Sequence, residues 1–166
     1  MPAPVTNSDV VHGYRIVSPR WADDALSGEG ARKFGGRWNS PGRAMVYLGG
    51  SRALAALEML VHLTSPGSRS KPYQMIEVAI PCDLISDYPL SILPQRWRES
   101  PPTLITQEIG DDWLQSCNSI SQLALRVPST LIPEENNLLL NPLHRDFKKI
   151  TSLPPTAFSF DTRLCL

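Results

Sequence analysis

An α+β fold is what this sequence predicts: a single domain of short mixed strands with a few helices. Three observations lead there. The chain has 166 residues with 42% hydrophobic content, the size of one domain able to bury a core. Its 16 prolines gather between apolar runs, at Pro81, Pro89, Pro94, Pro101, Pro102, Pro154 and Pro155, which suits many loops and short strands rather than a helical bundle. The apolar segments themselves are of two kinds, short runs with strand character and two longer stretches with helical spacing.

In chain order, residues 1–9 are small and polar with two prolines and read as a flexible terminus, leaving 10–166 as the domain. Val10 to Val17 reads as the first strand, with Tyr14 and Ile16 on one face and Arg15 on the other. Pro19 to Lys33 reads as a loop carrying Gly28 and Gly30, anchored by Trp21. Ala44 to Leu48 is a short apolar run, a buried strand ended by Gly49-Gly50. Ser51 is a good N-cap for a helix over Arg52 to Leu63, with Leu54, Leu57 and Val61 as its inward stripe. Thr64 to Lys71 is a linker and Tyr73 to Ile80 a strand. Pro81 to Pro102 is punctuated by proline, with Leu84, Ile85, Leu90 and Ile92 packing intermittently. Thr103 to Ser116 is a helix with Ile105, Ile109, Trp113 and Leu114 inward and Asp111-Asp112 solvated. Leu123 to Val127 and Leu138 to Leu140 are short strands, and Phe147 to Ile150 and Phe158 to Leu164 read as terminal edge strands.

Charge and cysteine usage narrow the function. Sixteen basic and 16 acidic residues give a net charge of zero, which argues against direct nucleic-acid binding by this chain. Three widely spaced cysteines, Cys82, Cys117 and Cys165, show no metal-ligand spacing and read as reduced thiols. No leader segment and no apolar run long enough for a bilayer stands out, so the expectation is a cytoplasmic protein with no membrane contact.

One span concentrates chemistry: Phe34 to Leu63. Gly35-Gly36 permits a turn or close backbone approach. Arg37, Trp38 and Asn39 follow, then the Ser40-Pro41-Gly42 turn. Glu58 lies four residues after Leu54 and three before Val61, so it projects beside the inward stripe of its helix. A carboxylate there is costly unless partnered, and the cheapest partner in the span is Arg37. The same residues also have plainer readings: Glu58 as a capping or snorkelling group, Arg37 as a surface ion-pair residue, Tyr47 as core. Later in the chain Ser129 follows a strand end, where it either caps a turn or offers its hydroxyl to a ligand. Asn137 and Asn141 are turn formers that can also hold the Ser129 loop. His144 lacks the spacing of a catalytic triad, and His12 and His62 are likewise isolated.

The ordered series Gly36-Arg37-Trp38-Asn39, Gly42, Val46-Tyr47, Ala56-Leu57-Glu58 and Val61-His62-Leu63 resembles the core of a RES domain. So does Val127-Pro128-Ser129, Glu135-Asn136-Asn137, Leu140-Asn141-Pro142 and His144, and the opening Tyr14-Arg15-Ile16 resembles the family's first strand. The resemblance runs from Gly13 to Arg163. It implies an ADP-ribosyltransferase-like fold and a toxin of a bacterial toxin–antitoxin pair that consumes NAD⁺. It also implies an antitoxin partner of the Xre-type helix-turn-helix class, in a hetero-oligomer with this chain. NAD⁺ would be substrate, with no resident cofactor and no metal. On that footing Glu58 stabilises positive charge developing on the ribose as nicotinamide leaves. Arg37 grips the diphosphate, and Tyr47 stacks on or bonds the nicotinamide–ribose end. Ser129 bonds ribose or amide, and Arg15 and Asn39 are lesser ligand contacts. Two other readings stand beside it: transfer of ADP-ribose to a protein, and a non-catalytic module that binds a nucleotide or only an antitoxin.

Overall fold

A computed structural model describes residues 9–165; the expected flexible terminus lies, apart from Asp9, outside the described residues. Four helices and an eight-stranded sheet form a mixed α+β domain. The strands are β1 (Val10–Val17), β2 (Val46–Gly49), β3 (Tyr73–Pro81), β4 (Ile85–Asp87), β5 (Ala124–Pro128), β6 (Asn136–Leu140), β7 (Thr151–Ser152) and β8 (Thr156–Phe158). The helices are α1 (Glu29–Phe34), α2 (Arg52–Leu60), α3 (Pro66–Arg69) and α4 (Leu104–Ser116). Sheet order is β4-β5-β6-β2-β1-β3-β7, with β8 also on β3. Every pairing is antiparallel except β4 with β5.

The short central strands are mostly apolar because both sheet faces are covered, with Arg126, Asn136 and Asn137 as their polar members. Leu138 and Leu140 join one core with Val46, Leu48, Ile76 and Val78. Leu139, between them, joins the other with Met45, Leu125, Trp38, Trp97 and Trp113. Successive residues of one strand thus feed two cores. The sheet is nearly split at its middle. β1 runs alongside β3 from Val10↔Pro81 to Val17↔Gln74, yet meets β2 only at Tyr14↔Gly49. Beyond that bridge the Tyr47 carbonyl takes a side-chain hydrogen bond instead, from Arg15 Nη1 at 3.1 Å.

Several expectations about elements need correction. The Pro19–Lys33 loop contains a 3₁₀ turn and most of α1. Neither buries a residue, so no apolar period announces them. α2 is capped by Ser51, whose Oγ accepts from the Leu54 amide at 3.0 Å, but it ends at Leu60. There His62 and Leu63 tighten to Met59 and Leu60 carbonyls, a 3₁₀ finish. The packed face is Leu54 and Ala55, and Val61 is 52% exposed rather than inward. The Thr64–Lys71 linker holds α3, and Leu90 and Ile92 are exposed. Asp111 is not solvated: its carboxylate takes the Ser40 amide at 3.1 Å and the Ser40 hydroxyl at 2.5 Å. The terminal strands sit elsewhere than expected, at β7 and β8, with 3₁₀ turns over Phe147–Lys149 and Thr162–Leu164.

Candidate active site

The site is assembled by α2, the turn after α1, and the β5–β6 connection, all brought to one face of the sheet. The turn comes first. Gly36 donates its amide to the Asn39 carbonyl at 2.9 Å, which places Arg37 and Trp38 at the tip. Trp38 is buried at 3% exposure and pins the tip into the core. A side chain at Gly36 would put its Cβ 2.6 Å from the Tyr47 hydroxyl, so only glycine lets the turn lie against β2. Tyr47 Oη donates to Asn39 Oδ1 at 2.6 Å and accepts from the Trp38 amide at 3.1 Å. Asn39 is fully buried, and its Nδ2 reaches the carbonyls of Ala31, Ser40 and Arg43 at 2.9, 3.2 and 3.0 Å. α4 clamps the other side, through Gln107 Nε2 to the Gly36 carbonyl at 3.0 Å and through Asp111 to Ser40.

Burial pushes the Tyr47 hydroxyl well above its ordinary value of 10.0, with the Trp38 amide bond only partly opposing it. A raised folded value favours the protonated form. Its stabilising contribution is therefore complete below pH 10 and is lost as pH rises, because the unfolded tyrosine ionises first. Tyr47→Phe is expected to lower stability by about 2 kcal/mol, since it strands the buried Asn39 oxygen and the Trp38 amide. It should also flatten the decline in melting temperature between pH 9 and 11, which thermal melts across that range will read.

Glu58 is held by neutral donors. Ser129 Oγ donates to its Oε1 at 2.8 Å and Asn137 Nδ2 donates to the same oxygen at 2.6 Å. The serine has no choice of direction. Its oxygen accepts the Leu131 and Ile132 amides at 3.1 and 3.3 Å, so its single proton is left for Glu58. Ser129 is fully buried and its backbone amide is fixed by the Glu135 carbonyl at 2.8 Å. Glu58 Oε2 takes no hydrogen bond from the described residues and remains an open acceptor.

The expected Arg37–Glu58 ion pair is not formed. Arg37 Nη1 donates instead to the Trp97 and Glu99 carbonyls at 2.8 and 2.9 Å, which leaves Nη2 and Nε for other partners. The two charges still feel one another: burial lowers the Arg37 guanidinium from its usual range, and the Glu58 carboxylate pulls it back up. Arg15 lies in the split between β1 and β2 and its guanidinium is also lowered by burial. Its Nε is buried without a partner, and among the described residues no carboxylate pairs with it.

Of the residues singled out from sequence, Glu58 and Ser129 share one hydrogen bond and Tyr47 and Asn39 another; Arg37 bonds neither pair but feels the charge of Glu58, and Arg15 bonds the Tyr47 carbonyl. Asn141 is not part of it; its Nδ2 goes to the Cys117 sulfur at 3.1 Å and its Oδ1 to the Leu143 amide at 3.0 Å. Asn137 bonds Glu58 rather than the Ser129 loop. The Trp97 and Glu99 carbonyls went unread, because a backbone acceptor 60 residues away from Arg37 leaves no linear signal, and Asp111, expected in solvent, holds Ser40 instead. Two surface hollows, of about 300 and 400 Å³, lie elsewhere, one walled by Val11, Ser51, Arg126 and Leu138 and the other by Leu26, Ile76 and Pro154. Neither gathers groups that converge on a reacting atom, and the chemistry favours Glu58. Among the described residues no trio of His, Cys, Asp or Glu is placed to hold a metal, and no helix is long and apolar enough to cross a membrane.

Fold and site together define an α+β domain with a fixed, half-open carboxylate facing an arginine. The chain belongs to the RES domain family, which matches residues 12–161. It is similar to the protein "Toxin Res" of Yersinia enterocolitica, 42% identical over 152 residues that cover 91% of this chain and 97% of that one. The "Prs ADP-ribosylating toxin" of a Sphingobium species is 40% identical over 146 residues, 86% of this chain and 88% of the other. "NAD(+) phosphorylase MbcT" of Mycobacterium tuberculosis is 34% identical over 117 residues, 66% and 61% of the two chains. In fold the chain matches a protein in the crystal structure of the M. tuberculosis MbcT–MbcA toxin–antitoxin complex. The TM-score is 0.72 at 19% identity, over 94% of this chain and 87% of that one.

Proposed function

We propose that this chain is a toxin that degrades NAD⁺ by cleaving the bond between nicotinamide and ribose, and that an antitoxin neutralises it. The observation that carries the reading is the Glu58 carboxylate, with one oxygen fixed by Ser129 and Asn137 and the other open. Nicotinamide leaves as a neutral molecule from a cationic precursor, so the reaction needs no strong acid. Its transition state places positive charge on the ribose, and a preorganised carboxylate stabilises that charge without reorganising. Arg37, with Nη2 and Nε still available, takes the diphosphate as a guanidinium fork suits paired phosphate oxygens. Arg15 is a second cation for the same group, since a buried guanidinium without a carboxylate partner is costly until an anion arrives. Tyr47 and Asn39 serve by fastening the Arg37 turn, and Ser129 by aiming Glu58.

Relatives called toxins, and one called an NAD(+) phosphorylase, support this assignment. The acceptor on that reading is phosphate. Transfer of ADP-ribose to a protein is the second reading, favoured by the ADP-ribosylating relative. The partner is an Xre-type helix-turn-helix antitoxin, a segment of which covers the cleft beside Arg37 and Glu58; antitoxin binding that leaves turnover unchanged would refute that route. The site of action is the cytoplasm, where NAD⁺ is abundant.

Purified chain incubated with labelled NAD⁺ tests the assignment. Release of nicotinamide that accelerates with added phosphate, and a phosphorylated ADP-ribose product, are expected. Label appearing on protein would transfer the assignment to the second reading. No NAD⁺ loss with water, phosphate or cell protein supplied would leave only the binding module.

A further inference from the structure

We infer that Asn137 is a positioning residue for this reaction, one that fixes the Glu58 carboxylate so that Oε2 is presented to the substrate. The inference rests on the assignment of Glu58 made above, and on three observations about Asn137.

The first is where its backbone stands. Asn137 lies in β6 and is paired on both sides, with Gly49 of β2 and with Val127 of β5. A residue held between two strands offers its side chain from a fixed base. The second is the pair of bonds on Glu58. Asn137 Nδ2 and Ser129 Oγ both reach Oε1, at 2.6 and 2.8 Å. One bond would leave the carboxylate free to turn about its terminal torsion, which has only a broad preference. Two bonds from different elements fix its plane, and so fix Oε2.

The third observation separates this role from packing. Asn137 Oδ1 is buried and has no hydrogen-bond partner. Turning the amide over would not relieve it, because the oxygen would then face the Glu58 carboxylate. The orientation of the amide is therefore dictated by Glu58 at the cost of an orphaned acceptor. A leucine or valine at this position would serve the fold without that cost. A local rule broken where a reactive group is held marks a functional position. In the chain, Asn137 reads as a turn former that can also hold the Ser129 loop, with nothing to tie it to Glu58.

The test is steady-state NAD⁺ consumption by the full chain, with wild type, Asn137→Ala and Asn137→Asp compared from pH 8 to pH 5. Arg37 is a nearby cation that feels the charge of Glu58; Ser129 and Asn137, the groups in contact with Glu58, are neutral. Asn137→Ala should lower kcat by roughly 10- to 100-fold, the range that outer partners of reactive groups carry, with KM nearly unchanged. Asn137→Asp keeps the volume but turns the donor into a second carboxylate, so at neutral pH it should be worse than alanine. As pH falls, a protonated Asp regains an O–H donor to Oε1, and activity relative to wild type should rise. A packing role gives the opposite order: the isosteric Asp is mild and its ratio to wild type is flat with pH. Wild-type kcat in Asn137→Ala, or that opposite order, would overturn the inference while leaving the Glu58 assignment standing. If alanine does not fold, the Asp variant and its pH dependence decide alone. A wild type that leaves NAD⁺ intact would overturn the inference and the assignment together.

Discussion

Glu58→Gln is expected to abolish NAD⁺ turnover while leaving the fold unchanged. Glutamine preserves the size of the side chain, and its carbonyl oxygen can still accept from Ser129 and Asn137 where Oε1 now does. What disappears is the negative charge at Oε2, the carboxylate oxygen that the described residues leave open. That charge matters little for binding a ground-state nucleotide and greatly for a ribose becoming cationic. A loss of kcat of about 10³-fold follows, equivalent to about 4 kcal/mol of transition-state stabilisation. KM should change little, and the melting temperature should stay within a few degrees of wild type. Nicotinamide release and thermal melts on the same preparations read both. Retained kcat would remove Glu58 from the chemistry, and a collapsed melting temperature would make the loss uninformative, in which case Glu58→Asp with a shortened carboxylate replaces it.

Gly110→Ala should cause the largest loss of stability. Gly110 lies in α4 where the helix meets the Arg37 turn, and a Cβ there would stand 1.6 Å from the Trp38 carbonyl oxygen and 2.6 Å from its carbon. Both are backbone atoms, so no rotamer relieves the collision. Alanine gains about 1 kcal/mol of helix propensity over glycine, but parting α4 from the turn costs several times that. A net loss of about 4 kcal/mol is expected, at the extreme of single substitutions, seen as a fall in melting temperature on the order of 10 °C for a chain of this size. Activity should fall with it, because Trp38 adjoins Arg37 and the Asp111–Ser40 clamp sits beside the contact. Gly30→Ala in α1 is the control. A Cβ there meets nothing within 4 Å, and the same substitution should be neutral or stabilise by up to about 1 kcal/mol.

Helical spacing and capping were legible at α2: Ser51 is the cap that Arg52–Leu60 uses. The strand runs around Tyr47, Ala124 and Leu138 were legible because both faces are largely buried, which leaves apolar runs broken only by Arg126. α1 was not, since a six-residue helix with no buried side chain carries no period. The end of α2 was not, because packing rather than propensity chose Leu54 and Ala55 as the inward pair.

By itself the sequence determined the fold class and the family, and it offered Arg37, Tyr47, Glu58 and Ser129 as candidates for the site. Those are matters of local spacing and ordered motif, which a chain displays before it folds. Only the tertiary structure decided who holds whom. Glu58 is separated by 71 residues from Ser129 and by 79 from Asn137, and Arg37 by 60 from the Trp97 carbonyl it binds. The salt bridge that looked cheapest in the linear span gave way to neutral donors and backbone carbonyls. The physical reason is that hydrogen-bond partners are chosen by geometry after the sheet has closed. Once β6 lies between β2 and β5, an amide and a hydroxyl reach Oε1, and the arginine is drawn to the Trp97 and Glu99 carbonyls.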